Sequence, residues 1–203
     1  SFETAQEMVI AAESRGVSPV IRVGGTSEHD ILRALDIGAH AVQIPNVNSA
    51  IDLRKIVTFS KYPPIGNRGF SPFVRAANYS LENSTKITKI ANENTLVAVN
   101  LEGLSAFQNI DEILEIDCID IFFIGLFDLS KSLGKPGETN NIKVQKLFTD
   151  CIDKIHSKSK FIGTISTNIE DIERYRKLGV NYIVHLVDSE MLKSSYQNIL
   201  SRL

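Results

Sequence analysis

The sequence predicts an α/β fold in which parallel strands alternate with helices, and three observations carry that prediction. Six short apolar runs, at 19–23, 40–44, 96–101, 119–124, 160–165 and 181–186, are each followed by a stretch of helical periodicity. Two carboxylates, Glu102 and Asp128, stand just past two of those runs, and their separation, 128 − 102 = 26 residues, matches one strand-helix-strand unit. The chain has 203 residues of which 43% are hydrophobic, enough to bury one substantial core, and no low-complexity linker divides it.

Each element has a local reason. Ala5, Met8, Val9, Ala11 and Ala12 share one face of a first helix over 3–14, which Arg15-Gly16 ends. The run PVIRV is a buried strand; Ser27 caps the helix EHDILRALDIG, and Gly38 closes it. After the strand from His40 to Ile44, Asn48 or Ser49 starts a helix through Phe59. The segment YPPIGNRGFSPFVRAANY, residues 62–79, is a long polar excursion of the kind that is usually functional in a compact domain. Helices follow over 81–92, 104–114, 141–157, 169–178 and 189–203, with a short helical segment from Gly125 to Leu133.

Strict alternation fits either an open doubly wound sheet or a (β/α)8 TIM barrel. A barrel needs eight strands, so the six visible here fit one whose first two strands lie upstream of Ser1. On that reading residues 1–203 are a single, N-terminally incomplete barrel domain. The chain starts inside an amphipathic helix without Met, as a piece of something longer would.

Composition excludes several partners. A formal charge of −2, with 22 Lys+Arg interspersed among 24 Asp+Glu, offers no basic face for nucleic acid or for an anionic membrane. No apolar run reaches the roughly 18–20 residues that span a bilayer, and the opening lacks the order of a signal peptide, so a cytoplasmic location is expected. Cys118 and Cys151 have no metal-type spacing and read as buried, reduced thiols.

In either architecture the chemistry sits at the C-terminal ends of the strands, where Arg22, Pro45, Asn100, Glu102, Gly125, Asp128, Thr164 and His185 fall. Glu102 and Asp128 emerge at one edge, side by side. Two carboxylates without a nearby Cys or His suit a hard divalent cation such as Mg²⁺, which takes oxygen ligands and keeps positions open for water or substrate. The plainer alternative is that each acid caps or opens a helix near its positive dipole end.

The ordered motifs PVIRV, ALDIGAHAVQIPNV, YPPIGNRG, VAVNLEG and IFFIGLFDLSKSLGKPG resemble the HpcH/HpaI aldolase and citrate lyase β family, the metal-dependent class II pyruvate aldolases. The resemblance runs from near Ser1 to near Leu203. It implies a (β/α)8 barrel that reversibly cleaves 4-hydroxy-2-oxo acids to pyruvate and an aldehyde, with Mg²⁺, Mn²⁺ or Co²⁺ as cofactor. The family's metal ligands fall on Glu102 and Asp128, and its strand-end arginine, beside the keto oxygen, falls on Arg22. The backbone amides of the Gly125 to Asp128 turn then hold the pyruvate carboxylate. Asp36 falls on the aspartate that pairs with a catalytic histidine of a neighbouring subunit, its alternative being an exposed helix acid. Arg68, in GNRG, either shapes the site mouth as a substrate contact or is a solvated loop arginine; Arg22 is either catalytic or a structural ion pair.

Three departures from the family pattern matter. Asn100 stands where a glutamine is usual, one methylene shorter, which moves its contact to a metal-bound water or to substrate. Leu126 and Phe127 replace the usual Pro-Ala/Tyr before the aspartate, predicting an apolar aldehyde pocket. The family's acid-base histidine falls a few residues before Ser1; His29, His40, His156 and His185 read as ordinary. The family also commonly forms hexamers, as trimers of dimers, and the stripe Met191, Leu192, Tyr196, Ile199, Leu200 and Leu203 on the helix 189–203 is covered either by the barrel or by a neighbouring subunit. Two rivals stand beside the aldolase: a citrate-lyase-β type enzyme acting on a CoA thioester, and a non-catalytic barrel that keeps a metal or ligand site.

Overall fold

All six strands form, and each takes its place beside the previous one. A computed structural model of the protein describes residues 1–81 and 83–203. The elements run α1 Phe2–Glu13, β1 Val20–Arg22, α2 Glu28–Asp36, β2 Ala41–Val47, α3 Ala50–Ser60, α4 Ser84–Asn94, β3 Leu96–Leu101, α5 Leu104–Gln108, α6 Ile110–Leu114, β4 Ile121–Ile124, α7 Leu126–Ser132, α8 Ile142–Ser157, β5 Phe161–Ser166, α9 Ile169–Lys177, β6 Tyr182–His185 and α10 Asp188–Leu200. The strands make one parallel sheet in the order β1-β2-β3-β4-β5-β6.

A single hydrogen bond reveals the shape of that sheet. The Tyr182 hydroxyl on β6 lies 3.1 Å from Gln43 Oε1 on β2. In a flat sheet, strands four places apart are separated by about 19 Å. The sheet is therefore curled into a half-barrel, with Tyr182 and Gln43 meeting across its hollow.

The outer face of the sheet and the inner faces of the helices make the core. Val42, Ile44, Val97, Val99, Leu101, Phe122, Ile124 and Ile162 meet Ile31, Leu53, Ile56, Ile113, Leu129, Phe148 and Ile155, all fully or almost fully buried. Ser27, Ser49, Asn141 and Asn168 cap α2, α3, α8 and α9 through their side chains; the sequence predicts the first, and the second settles the choice between Asn48 and Ser49. Ser49 completes a capping box with Asp52.

Two boundaries differ from the sequence reading. The helix expected over 104–114 is two short helices that meet at Asn109, where the backbone leaves helical geometry (φ −95°, ψ 12°) and the side-chain amide donates to the Asn48 carbonyl. The second strand runs on to Val47 rather than ending at Ile44, through a register shift in which Asn46 takes a left-handed φ of 59°. Pro45 has no N–H for the ladder, and asparagine tolerates the left-handed region, so the bulge follows from that dipeptide.

The 62–79 excursion is pinned, not loose. The buried Lys61 ammonium donates to the carbonyls of Asn92 and Thr95 at the end of α4, and Asn92 bonds both the N–H and the carbonyl of Tyr62. Burial lowers the Lys61 pKa from its ordinary value. Cys151, on the buried face of α8, has its thiol pushed up to about 12 by desolvation. It should resist alkylation by iodoacetamide in the native protein at pH 8 and react once the chain is unfolded in urea; equal reactivity in both states would contradict this packing.

Candidate metal and substrate site at the C-terminal ends of the strands

The strand ends bring two carboxylates to one point. Glu102 is the first residue past β3, and Asp128 is the third residue of α7, directly after β4. A methyl group on Gly125 would lie 3.1 Å from Glu102 Cγ and 4.0 Å from Asp128 Oδ2. The acids therefore converge over the backbone of Gly125, and any side chain there would intrude between them.

The plainer alternative holds in part: Asp128 stands in the first turn of α7, near its positive dipole end, but neither acid caps a helix. The N-cap of α5 is Gly103 and that of α7 is Gly125, and neither cap is bonded by a side chain. Glu102 instead accepts from the Asn100 amide at 2.8 Å and from the Asn46 backbone N–H at 3.2 Å. The bulge in β2 is what frees that N–H, since a regular strand would spend it on the ladder. Asp128 is exposed and makes no hydrogen bond or ion pair among the described residues.

Such a pair fits a hard divalent cation. Glu102 is aimed by two donors but keeps lone pairs, Asp128 is uncommitted, and both ligands are oxygen. Among the described residues no cluster of three or more His, Cys, Asp or Glu could hold a metal, so two acids leave most coordination positions for water and substrate.

The other predicted residues separate into two groups. Arg22 ends β1 in register with Gln43, so both point to the same face of the sheet, the interior one. It is exposed and forms no ion pair among the described residues, so the structural-pair alternative is not realised. Phe127 is 44% exposed in the first turn of α7 and sets an apolar rim beside Asp128. Asn100 is buried, with Oδ1 accepting from Gln43 and Nδ2 donating to Glu102, which leaves one amide hydrogen for any other contact.

Asp36 and Arg68 lie elsewhere. Arg68 is only 5% exposed, donates to Asp36 at 2.7 Å and stacks 4.6 Å over the Tyr62 ring, so it is not a solvated loop arginine and Asp36 is not a free helix acid. Arg68 lines a cavity of about 880 Å³ with Val20, Ala41, Leu96 and Ile121, the first residues of β1 to β4. That is the N-terminal end of the sheet; from Leu96 to Glu102 the chain climbs about 20 Å. Within the chain this pair is remote from the two acids and does not line their site.

Comparison with known proteins agrees with this geometry. A family model described as HpcH/HpaI aldolase/citrate lyase matches residues 2–194. The chain belongs to the HpcH/HpaI aldolase/citrate lyase family. A 2-keto-3-deoxy-L-rhamnonate aldolase of Salmonella gallinarum is 34% identical over 184 residues, covering 90% of this chain and 68% of that protein. The crystal structure of an HpcH/HpaI aldolase from Desulfitobacterium hafniense superposes with a TM-score of 0.94 at 25% identity, over 100% of this chain and 78% of that one. An HpcH/HpaI aldolase/citrate lyase family protein from Burkholderia cenocepacia shares the fold, with a TM-score of 0.91 at 23% identity over 99% and 80% of the two chains.

In this family member the residues that sequence reasoning missed are Gln43, Asn46 and Tyr182. Only Asn46 carried a local signal, the Pro-Asn dipeptide inside a strand. The position of Arg68 gives a direct test. Arg68→Met leaves the Asp36 carboxylate uncompensated in a largely buried setting and should cost about 3 kcal/mol in urea denaturation, with Mn²⁺ affinity unchanged. A loss of Mn²⁺ affinity in that variant would place Arg68 in the site after all.

Proposed function

We propose that this chain is a divalent-metal-dependent aldolase that reversibly cleaves a 4-hydroxy-2-oxo acid to pyruvate and an aldehyde. The observation that carries the proposal is the convergence of Glu102 and Asp128 over Gly125 at the C-terminal edge of a parallel sheet. Its family membership supports the same chemistry, and the aldolase named among its relatives acts on a substrate of this class.

In the cleavage direction the C4 hydroxyl gives up its proton and the C3–C4 bond breaks to release the aldehyde. The bond's electron pair passes into the C2 carbonyl as an enolate, and C3 then takes up a proton to give pyruvate. Glu102 and Asp128 would hold Mg²⁺, Mn²⁺ or Co²⁺, which when bound would supply positive charge to stabilise the enolate. Arg22, without an ion-pair partner among the described residues and on the interior face, adds a guanidinium toward the enolate oxygen. The N–H groups of the first turn of α7 face the 2-oxo acid carboxylate, and Phe127 shapes the aldehyde side.

We further infer that two strands preceding β1 complete the barrel and carry the family's acid-base histidine. The curl of six strands supports this, since the edges of β1 and β6 face one another across the space that a closed eight-stranded sheet fills. Asp36 lies at the other end of the sheet from Glu102 with Oδ1 bonded to Arg68, so any part it plays at an active site is at a neighbouring subunit's, through its other oxygen. The exposed stripe of α10, with Leu192 at 60%, Tyr196 at 61% and Leu200 at 69%, supports assembly into a homo-oligomer. No helix among the described residues is long and apolar enough to cross a membrane, and both cysteines are free, in keeping with a reducing, cytoplasmic setting.

The decisive variant is Glu102→Gln, which keeps the shape and removes the ligand charge. Metal-dependent exchange of the pyruvate C3 protons with deuterated water should fall at least about 100-fold, the upper end of what losing a single supporting contact costs a metal site. Full exchange in that variant would overturn the assignment.

A further inference from the structure

Inside the half-barrel, four side chains from three strands and the loop after β3 form one unbroken chain of hydrogen bonds. Tyr182 Oη lies 3.1 Å from Gln43 Oε1, Gln43 Nε2 lies 2.7 Å from Asn100 Oδ1, and Asn100 Nδ2 lies 2.8 Å from Glu102 Oε1. The carboxylate accepts only, and this fixes everything upstream of it. Asn100 must turn its NH₂ to Glu102, so its oxygen faces Gln43; Gln43 must then offer its NH₂ to Asn100 and its oxygen to Tyr182, which has to donate. Every donor points toward the metal carboxylate.

The surroundings are built to permit this reach. Asn100, Phe123, Gly163 and Tyr182 occupy one level of the sheet by register. A methyl group on Gly163 would come within 2.7 Å of Phe123 Cδ2 and 2.9 Å of Tyr182 Cδ1. The missing side chain therefore lets the Tyr182 ring lie edge-on to Phe123, at 5.8 Å between centroids, and extend to Gln43. Gln43 is 6% exposed and Asn100 5%, so neither amide has bulk water as an easy substitute partner. The Tyr182 hydroxyl is protonated at neutral pH and serves as the terminal donor, and burial raises its pKa further.

We propose that Gln43 and Tyr182 are positioning residues of the metal site, acting on Glu102 through Asn100. This rests on the reading of Glu102 and Asp128 as metal ligands. Gln43 reaches across from β2 to bond the Asn100 oxygen and so fixes its amide plane. Tyr182 in turn locks Gln43 from the far side of the hollow. Glu102 is then presented in one orientation, with Oε1 engaged from within the barrel and Oε2 toward the Asn46 N–H. Buried amides chained to a charged acceptor polarise one another, so removal of a distant member is felt at the carboxylate.

The test is Mn²⁺ binding to the apoprotein, followed by the electron paramagnetic resonance signal of the free ion, with thermal melts alongside. Gln43→Leu should raise the Mn²⁺ Kd by about 10-fold, the low end of what losing a direct hydrogen-bond partner of a metal ligand costs, since Gln43 lies one bond further out, and Tyr182→Phe should raise it by a smaller factor while removing one oxygen only. The double variant should bind no more weakly than Gln43→Leu alone, because Tyr182 acts only through Gln43. Additive losses in the double variant, or losses that merely track melting temperature, would mean packing rather than positioning and overturn the proposal, as would unchanged affinity in Gln43→Leu. If Gln43→Leu does not fold, Tyr182→Phe decides: unchanged Mn²⁺ affinity there overturns the relay. Glu102→Gln separates the two ideas. If wild type binds Mn²⁺ and Glu102→Gln does not, the metal reading stands whatever Gln43 does; if Glu102→Gln binds as wild type does, the metal reading falls and takes the relay with it.

Discussion

A carboxylate at the rim of a half-barrel has to be held by donors, and the structure supplies Glu102 with two, one of which no regular strand would offer. One is the Asn46 N–H, released from the ladder by the bulge at Pro45-Asn46; the other is the Asn100 amide, itself held from inside the sheet. Burying a polar group without such partners costs free energy on the order of 1–3 kcal/mol, more for a charge. The bulge, the amides and Gly125 are different answers to one requirement. They let a negative charge sit fixed beside a second one while leaving lone pairs for a cation.

The fold divides its labour between the two ends of the strands. At the C-terminal edge the polar groups are uncommitted or only half satisfied: Arg22 and Asp128 carry no partner among the described residues. At the N-terminal end the charges are paired off. Arg68 is clamped between Asp36 and the Tyr62 ring, and Glu13 bonds Arg75 and His40. The long 62–79 excursion, whose length suggested function, belongs to this second end, where Lys61 and Asn92 tie it to α4. Committed charges stabilise one end; available charges do chemistry at the other.

Much of this was legible in the chain because it is local. The strand-helix alternation, the Ser27 cap and the 26-residue interval from Glu102 to Asp128 all lie within single supersecondary units, where hydrophobic period and turn residues decide the outcome. What escaped is non-local. Gln43 meets Asn100 across 57 residues and Tyr182 across 139, and both contacts exist only because the sheet curls. Neither Gln nor Tyr in a strand announces such a partner. Arg68 misled for the opposite reason: its polar, glycine-flanked neighbours imply solvent, and only tertiary packing on Tyr62 and Asp36 buries it. The helix that periodicity supported over 104–114 divides at Asn109, whose side chain bonds a backbone carbonyl 61 residues away in the chain.

The account stands or falls on where a divalent ion binds. Crystals grown with Mn²⁺ and pyruvate, measured at the manganese absorption edge, should show a single strong anomalous peak between the Glu102 and Asp128 carboxylates, above Gly125. A peak at the N-terminal end of the sheet near Asp36, or none between the two acids at saturating Mn²⁺, would contradict it.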